Sequence, residues 1–273
     1  MAGVAGAPVT HSLSPLIHNA WIAAAGLDAV YVPFPVPPGR FEAFAAALQG
    51  GVVRGLNVTV PFKEAALGVA GARSERASRA GAANLLIFGA GAVTHADNTD
   101  GQGLMAALAE QAPRFDVRSG PVLVLGAGGA ARGAAAAMLD AGAPDIRILN
   151  RTLARAEALA AALGAPCRVA RDPETAADGA ALIINATTLG LGGGPGPAIA
   201  LERAAAGAVA LDMVYRPLRT DFLARAAAAG LAPVDGLAML IGQAAPSFEA
   251  FFRHAPPPID VRALCLAALG ETP

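Results

Sequence analysis

Residues 122–132 read VLVLGAGGAAR, and this stretch decides the fold. Four apolar residues of strand type run directly into the pattern G-x-G-x-x-A, and an alanine-rich helical sequence follows. Gly126 permits a tight turn, Gly128 lets the backbone approach a pyrophosphate, and the small Ala131 allows the helix to lie close to the strand. The stretch therefore predicts a turn that binds a dinucleotide. The residues expected to contact the cofactor here are Gly126, Ala127, Gly128, Gly129 and Ala130.

On both sides of this turn, short apolar runs alternate with alanine-rich helical stretches. The predicted strands are Pro121–Leu125, Asp145–Asn150, Ala181–Ile184 and Ala208–Leu211. The predicted helices are Ala130–Asp140, Leu153–Leu163 and a third near Leu201–Ala206. Such alternation is typical of a parallel, doubly wound sheet. The sequence thus indicates an α/β fold with a Rossmann-type domain in the middle of the chain.

The first hundred residues alternate less regularly and predict a second α/β domain. We expect a helix with Ser14 as its N-cap and Pro15 in its first turn, ending at Gly26. Met1–Ala5 is a short strand of poor strand formers, which indicates either a frayed edge strand or a start codon chosen late. Further predicted elements are strands Ala29–Val36 and Gly55–Val58, a helix Phe41–Leu48, and a hairpin of Asn84–Phe88 with Val93–His95 across a GAGA turn.

Two long predicted helices, Gly103–Gln111 and Ala238–Arg253, flank the central block. A chain of 273 residues is long enough for two domains. We therefore predict a discontinuous first domain, residues 1–101 and 237–273, and an inserted dinucleotide-binding domain, residues 102–236. The sequence leaves open whether the protein is a monomer or a homodimer.

Charge and composition argue against several classes of partner. The formal net charge is −1 and there is no run of like charge, so neither nucleic acid nor an anionic membrane is expected to bind. Alanine accounts for much of the mean hydropathy of +0.49. The longest charge-free stretch of the second half, residues 179–201, is rich in glycine and proline, unlike the ~20 apolar helical residues that span a bilayer.

The thiols and imidazoles show no pattern of a metal site. Cys167 and Cys265 lie far apart in the chain, and we expect both to be small buried residues in a reducing cytoplasm. His11, His18 and His95 lack the spacing of metal ligands. The N-terminus shows no secretory signal pattern. We therefore expect a cytoplasmic protein that needs no metal.

The end of the second central strand discriminates between the two nicotinamide dinucleotides. An acidic residue would hold the ribose 2′-hydroxyl of NAD at this place. The chain instead has Asn150, Arg151 and Thr152, with Arg155 one turn further. The arginines are suited to clamp a 2′-phosphate through charge-assisted hydrogen bonds. The sequence therefore favours NADP as the cofactor.

Polar residues cluster at the boundaries of the predicted elements, where binding residues are often displayed. Besides the glycine turn, the motifs are H-S-x-S-P from His11, N-V-T-V-P-F-K from Asn57, A-G-A-x-N from Ala80, D-N-T-D-G from Asp97, N-R-T from Asn150, N-A-T from Asn185, D-M-V-Y-x-P from Asp212, and D-G-L-x-M-L-x-x-Q-A from Asp235. Taken together and in this order, the motifs resemble the shikimate dehydrogenase family over residues 6–252.

The resemblance implies NADPH-linked, reversible reduction of 3-dehydroshikimate to shikimate in the biosynthesis of chorismate and aromatic amino acids. It implies that Lys63 and Asp100 are the catalytic pair and that the first domain binds the substrate. The substrate-binding residues that it implies are Ser12, Ser14, Thr59, Asn84, Tyr215 and Gln243. It also implies that Met213 and Gly236 lie near the nicotinamide and that Thr187 lies close to the cofactor.

The chemistry of these residue types agrees with that assignment. Hydride transfer to a ketone leaves an alkoxide that needs a proton. A lysine ammonium can donate it, whereas arginine keeps its proton because its pKa stays above ~12. Lys63 is the only lysine among the 20 basic residues, and Asp100 would hold it in place. Ser12 and Ser14 at a helix N-terminus would supply short donors to the substrate carboxylate.

Three positions depart from the family pattern, and the first is Ala83, where a valine is usual before Asn84. Leu85 stands where a threonine is usual beside Asn84, and it removes a hydroxyl that would help to orient the amide. Ala238 replaces a glycine close to Gly236 and adds a methyl group near the nicotinamide. Two alternatives stay open: a quinate/shikimate or aminoshikimate dehydrogenase of the same fold, and a paralogue that binds NADP or shikimate as a regulator without turnover.

Overall fold

The computed structural model describes residues 1–89 and 94–271 of the chain. Within them the chain divides into two compact units. One contains residues 1–100 and the chain from residue 243 onward, and the other contains residues 101–242. The predicted α/β class, with a doubly wound sheet inserted into the chain, is confirmed.

The first unit contains a six-stranded mixed sheet. Its strands are β1 (Ala2–Gly6), β2 (Tyr31–Pro35), β3 (Gly55–Val58), β4 (Ala72–Arg73), β5 (Leu85–Phe88) and β6 (Thr94–Asp97). They are ordered β2-β1-β3-β5-β6-β4. Strands β1, β2 and β3 are parallel, whereas β5 runs antiparallel to β3 and β6. The hairpin of β5 with β6 is thus confirmed. Of its predicted GAGA turn, residues 90–92 lie outside the described residues, as does the predicted strand residue Val93.

The prediction of a frayed edge strand at the start of the chain is wrong. Strand β1 lies between β2 and β3, and all five of its residues are buried. Small side chains suit this place because the neighbouring strand is close. A Cβ built on Gly3 would meet the carbonyl oxygen of Val32 at 2.2 Å and the ring of Phe34 at 2.5 Å. Poor strand formers therefore occupy a central strand because larger residues do not fit.

The helices of this unit include α1 (Ser14–Ala24), α2 (Phe41–Ala47), α3 (Lys63–Gly68) and α4 (Glu75–Ala80). The prediction of Ser14 as the N-cap of α1 is wrong. Leu13 takes that place with helical backbone angles and no side-chain cap. The hydroxyl oxygen of Ser12 instead accepts a hydrogen bond from the Ser14 N–H at 3.2 Å. The helical turn thus begins one residue earlier than the serine–proline pair indicates.

The second unit contains a six-stranded parallel sheet. Between α5 (Asp100–Gln111) and α9 (Gly236–Phe252), its elements are β7 (Val122–Leu125), α6 (Gly129–Asp140), β8 (Ile146–Leu149), α7 (Leu153–Leu163), β9 (Cys167–Val169), β10 (Leu182–Asn185), β11 (Val209–Asp212), α8 (Asp221–Ala228) and β12 (Ala232–Val234). The sheet order is β12-β11-β10-β7-β8-β9. Two halves that start on β7 and β10 wind in opposite directions, as in dinucleotide-binding sheets.

Both faces of this sheet are covered. Along β7, Val122 and Val124 belong to one apolar core, whereas Leu123 and Leu125 belong to another. The sequence of such a strand is a continuous apolar run because both of its faces are buried. The predicted helix near Leu201–Ala206 is wrong: only Leu201–Arg203 forms a single 3₁₀ turn. Ala204 already has extended backbone angles, so the alanine-rich composition does not carry the helix further.

The chain ends in α9 and then α10 (Val261–Leu269). Within residues 1–89 and 94–271, no helix has both the length and the apolar content to cross a membrane. Both cysteines are free: Cys265 on α10 is buried, as expected, but Cys167 on β9 is only half-buried. Burial raises the pKa of each thiol to about 11.

Candidate active site

One edge of the first sheet collects most of the polar side chains predicted for the site. Strands β1 and β3 are parallel, so the chain leaves both at the same edge, toward Ser12 and Thr59. Because β5 runs antiparallel to β3, its entry residue Asn84 lies at that edge too, where its carbonyl accepts from Val58 N–H at 2.8 Å. Strand β6 ends there with Asp97, opposite Leu85. The topology thus brings motifs distant in sequence to one place.

Lys63 and Asp100 form an ion pair at this edge. Lys63 Nζ lies 2.5 Å from Asp100 Oδ2. The two side chains are only 12% and 6% exposed. Lys63 begins α3, directly after the turn that follows β3, and Asp100 begins α5. Lys63 is therefore not a solvated surface lysine, and the expected contact with Asp100 is present.

Asn84 connects this pair to the rest of the first unit. Its side-chain Nδ2 lies within hydrogen-bonding distance of Asp100 Oδ1 at 2.9 Å, Thr99 Oγ1 at 3.0 Å and Gln243 Oε1 at 3.2 Å. Its Oδ1 accepts from the backbone N–H of Thr99 at 2.8 Å. This backbone donor fixes which end of the amide faces Asp100. The orientation of Asn84 therefore does not depend on a hydroxyl at position 85, where Leu85 is buried.

A buried polar chain behind Asn84 was not predicted from the sequence. The Tyr31 hydroxyl donates to Asn57 Oδ1 at 2.8 Å. Asn57 Nδ2 donates to Ser247 Oγ at 2.8 Å and to the Asn84 carbonyl at 3.3 Å. The Ser247 hydroxyl in turn donates to the Gln243 carbonyl at 3.1 Å. The signal for it was Asn57 itself, a polar residue inside an otherwise apolar strand.

The other predicted substrate-binding residues occupy separate places. Ser12 is half-buried before α1, and Ser14 is buried in its first turn. Thr59 follows β3, and its N–H donates to the Ala5 carbonyl at 2.9 Å. Tyr215 belongs to the second unit, where it follows β11 and is half-buried. Within the first unit, the structure therefore brings Lys63, Asn84, Asp100 and Gln243 into direct contact, and Ser12, Ser14 and Thr59 lie at strand and helix ends.

His18 belongs to the core of the first unit. Its ring stacks on Tyr31 with centroids 4.1 Å apart and meets Trp21 edge-on at 5.7 Å. Neither ring nitrogen has a hydrogen-bond partner among the described residues. Burial lowers the pKa of the imidazole to about 3. His18 is therefore a neutral core residue, as is expected for a histidine outside the site.

In the second unit, the glycine turn has the geometry that a pyrophosphate needs. Gly126 has φ +114°, and a Cβ there would lie 3.2 Å from the Ala186 carbonyl oxygen. Gly128 is the N-cap of α6 and offers no side chain to its first N–H groups. No described atom lies within 4 Å of a Cβ built on Gly128. The space beside Gly128 is thus open at the start of a 12-residue helix without a side-chain cap, and the N–H groups and positive end of such a helix suit a phosphate anion.

The residues predicted to recognise a 2′-phosphate follow β8. Asn150 Nδ2 donates to the Thr152 carbonyl at 2.9 Å, which shapes the turn into α7. Thr152 is the N-cap of α7 but makes no side-chain cap. Arg151 and Arg155 are both exposed. Among the described residues, Arg151 forms no ion pair, so its guanidinium is open to a ligand. The donor set suits a phosphate ester and contains no carboxylate that would repel it.

The carboxyl ends of β10 and β11 hold a second unpredicted polar cluster. Asn185 Oδ1 accepts from the Thr187 hydroxyl at 2.7 Å and from its N–H at 3.1 Å. Asn185 Nδ2 donates to Asp212 Oδ1 at 2.8 Å and to the Leu189 carbonyl at 3.1 Å. The predicted cofactor residue Thr187 is thus held by Asn185. Both Asn185 and Asp212 are fully buried.

Met213 and Gly236 lie beside this cluster. Met213 directly follows β11, and its N–H donates to the Asn185 carbonyl at 3.0 Å. A Cβ on Gly236 would meet the backbone of Asp212 and Met213 at 2.8 Å, so only glycine fits there. The nearby Ala238 is buried, and its N–H donates to Asp235 Oδ1 at 2.9 Å. Within the described ranges, no group of three histidine, cysteine or acidic side chains is arranged to hold a metal ion.

Known proteins match this chain over nearly its whole length, and two family models match parts of it. A model of the shikimate dehydrogenase substrate-binding domain matches residues 4–86, and a model of shikimate/quinate 5-dehydrogenase matches residues 107–189. A relative named shikimate dehydrogenase (NADP(+)) from Caulobacter vibrioides is 59% identical, over 99% of this chain and 96% of its own. One of the same name from Maricaulis maris is 46% identical, over 99% and 96%.

A solved structure agrees with these matches. Shikimate 5-dehydrogenase from Thermus thermophilus, in complex with NADP(H) and shikimate, superposes with a TM-score of 0.87 at 36% identity. The superposition covers 98% of each chain. The predicted resemblance is therefore confirmed, and the chain belongs to the shikimate dehydrogenase family.

Proposed function

We propose that this protein is an NADP-dependent shikimate dehydrogenase that reduces 3-dehydroshikimate reversibly to shikimate. The observation that carries the proposal is the buried ion pair of Lys63 with Asp100, which combines a proton donor with its orienting carboxylate. The relatives that bear this name, and the match to a structure with NADP(H) and shikimate, support the same reaction. The enzyme is an oxidoreductase of the chorismate pathway.

In this reaction Lys63 is the general acid. When bound, NADPH would supply a hydride to the carbonyl carbon of the substrate, and the carbonyl oxygen would then need a proton. Lys63 Nζ donates that proton and takes it back in the reverse direction. Asp100 holds the ammonium, and Asn84 holds the opposite oxygen of Asp100. A group whose protonation must change during each turnover explains why lysine and not arginine occupies this position.

Polar side chains of the first unit are suited to bind the substrate. Ser12 and Ser14 lie at the start of α1, where hydroxyl groups and helix N–H groups favour the carboxylate. The ring hydroxyls are proposed to contact Thr59, Asn84, Asp100 and Gln243, and Tyr215 is proposed as a further substrate contact. The corresponding domain boundaries are residues 1–101 and 237–273 for substrate and residues 102–236 for NADP.

The cofactor is proposed to bind along the carboxyl edge of the second sheet. Its pyrophosphate would lie on the glycine turn and the N-terminus of α6, and its 2′-phosphate beside Arg151 and Arg155. The residues proposed to line the whole site are Gly126, Ala127, Gly128, Gly129, Ala130, Asn150, Arg151, Thr152, Arg155, Thr187, Met213 and Gly236. The two free thiols and this biosynthetic role support a cytoplasmic location.

A matrix of initial rates tests the proposal. Shikimate and quinate are each paired with NADP and with NAD, and the oxidation rate is followed by the absorbance of the reduced cofactor. The expected result is the highest kcat/KM for shikimate with NADP. A higher value for quinate would identify a quinate/shikimate dehydrogenase, and an aminoshikimate arm tests that substrate in the same way. Binding of both ligands without turnover in any combination would identify a regulatory paralogue.

A further inference from the structure

Asp212, at the end of β11, is a buried carboxylate without a cation. Its side chain is fully buried. Among the described residues it has no ion-pair partner, and its contacts are three hydrogen bonds. Oδ1 accepts from Val214 N–H at 3.0 Å and from Asn185 Nδ2 at 2.8 Å, and Oδ2 accepts from the Thr220 hydroxyl at 2.6 Å. The reaction proposed above does not use this group.

The hydrogen bonds indicate that Asp212 is ionised. The Val214 N–H is a donor only, and Asn185 presents its Nδ2 because its Oδ1 is occupied by Thr187. Thr220 Oγ1 accepts from Leu223 N–H at 3.2 Å, so its own proton is available for Asp212. Three donors directed at one carboxyl favour the anion. Burial raises the pKa of Asp212 above its usual value, and the three hydrogen bonds oppose that rise without cancelling it.

The sheet order places this anion on a definite side of the glycine turn. Strand β7 leads into the turn, and β8, which leads to Arg151, lies on one side of it. Strands β10 and β11 lie on the other side, and Asn185 and Asp212 are paired at their carboxyl ends. A dinucleotide whose pyrophosphate lies on the turn and whose 2′-phosphate lies toward β8 extends its nicotinamide half toward β10 and β11.

We propose that Asp212 is a fixed negative charge that favours the oxidised, cationic nicotinamide over the reduced, neutral ring. This inference rests on the proposed function, because it requires that NADP binds along this edge. The two redox forms share the same phosphates and the same adenosine, so they differ in their interaction with Asp212 through the charge of the ring. Buried charges interact strongly because little water screens them. By this argument Asp212 raises the affinity for NADP⁺ relative to NADPH.

The test measures binding in the absence of substrate. Calorimetry gives the Kd of the full-length wild type and of Asp212→Asn for NADP⁺, NADPH and adenosine 2′,5′-bisphosphate, a fragment without nicotinamide. We expect Asp212→Asn to raise the Kd of NADP⁺ on the order of ten-fold, with changes below about two-fold for the other two ligands. The ratio of the two cofactor dissociation constants reports the redox potential of the bound cofactor, which a purely structural role would not change.

Two control variants separate charge from structure. Asp221→Asn removes an equal charge from an exposed residue next to Thr220 and is expected to leave all three dissociation constants unchanged. Thr220→Ser keeps the hydroxyl donor to Asp212 and its charge but removes the methyl group packed near Gly190, so the ratio is expected to stay the same. If Thr220→Ser changes the ratio as much as Asp212→Asn, the proposal is wrong, because the effect then comes from local packing.

Other outcomes also decide the question. If the wild type binds both cofactors and Asp212→Asn leaves the ratio of their dissociation constants unchanged, this inference is wrong and the proposed function still stands. Equal weakening of all three ligands overturns it as well, because a damaged turn would affect the fragment too. A wild type that binds neither cofactor overturns the proposed function together with this inference. Should Asp212→Asn fail to fold, Asp212→Ser provides a smaller neutral side chain that still accepts from Val214 N–H, and the same ratio applies.

Discussion

Asn84 donates to Asp100 Oδ1 at 2.9 Å, on the oxygen opposite the one that holds Lys63. Each oxygen of the carboxylate therefore has a donor from a different part of the first unit: Lys63 at the start of α3 and Asn84 just before β5. Asn84 is itself fixed by the backbone N–H of Thr99 at 2.8 Å. The position of the ammonium is thus set by a chain of contacts that runs from the Thr99 backbone through Asn84 and Asp100 to Lys63.

Replacement of Lys63 should remove the general acid. We expect Lys63→Ala to lower kcat by ~10²-fold or more, with a smaller change in KM. Lys63→Arg is the matched control, because it keeps the positive charge opposite Asp100 but does not release a proton at neutral pH. Steady-state kinetics should show both variants nearly inactive. Near-normal turnover in Lys63→Arg would mean that charge alone is required and that another group supplies the proton.

Arg151 should distinguish NADP from NAD. We expect Arg151→Ala to raise the KM for NADP by roughly 10- to 100-fold, the effect of a lost hydrogen bond to a charged group, and to change the KM for NAD far less. Arg171→Ala is the control, since Arg171 is also an exposed arginine of the second unit but forms an ion pair with Glu157 at 2.8 Å. Equal effects of Arg151→Ala on both cofactors would exclude recognition of the 2′-phosphate.

The glycine turn could be predicted from the sequence because local pattern determines it, and the contact of Lys63 with Asp100 followed from the motifs that resemble the family. A strand, a turn that needs Gly126 at positive φ and a helix N-terminus are contiguous in the chain. Lys63 stood out as the only lysine. The contacts of Asn57 and Asp212 could not be predicted, because their partners, Tyr31 and Asn185, come from other strands. Contacts between strands depend on sheet order, which no local pattern contains.

Errors in the fold have a similar origin. Alanine has the highest intrinsic helix propensity, so the sequence predicted a helix near Leu201–Ala206, where the structure has one 3₁₀ turn. Gly3 and its small neighbours disfavour a strand as isolated residues, yet they form the buried strand β1. In both places, packing against neighbouring elements outweighs intrinsic propensity.

The close approach of β1 and β2 leads to a prediction about stability. A Cβ on Gly3 would meet backbone at 2.2 Å, so Gly3→Ala should lower the free energy of unfolding by about 1–3 kcal/mol, the usual cost of overpacking a core. Gly68→Ala is the control, because no described atom lies within 4 Å of a Cβ there. Urea denaturation should show this control at or above wild-type stability. If Gly3→Ala were as stable as the wild type, β2 would have to be able to move away from β1.

His18 should make the protein less stable in mild acid. Burial lowers the pKa of its imidazole to about 3 in the folded protein. In the unfolded chain the pKa of the same group is ~6.5. Between these values the unfolded state binds more protons than the folded state, so stability falls as the pH falls below about 6.5. From pH 7 to pH 5 the loss amounts to ~2 kcal/mol. Carboxylates such as Asp97, whose pKa is lowered mainly by its hydrogen bonds to Arg76 and Ser74 against the effect of burial, titrate below this window.

The variant His18→Phe isolates this contribution. Phenylalanine keeps an aromatic ring against Tyr31 and Trp21 but has no group that titrates. Urea denaturation at pH 7, 6 and 5 should therefore show a smaller loss of stability in His18→Phe than in the wild type, by ~2 kcal/mol over the range. His95 is exposed, and the control variant His95→Gln should lose as much stability between pH 7 and pH 5 as the wild type. If His18→Phe lost stability as steeply as the wild type, the ring would have to be protonated in the folded core, where the described residues offer its nitrogens no partner.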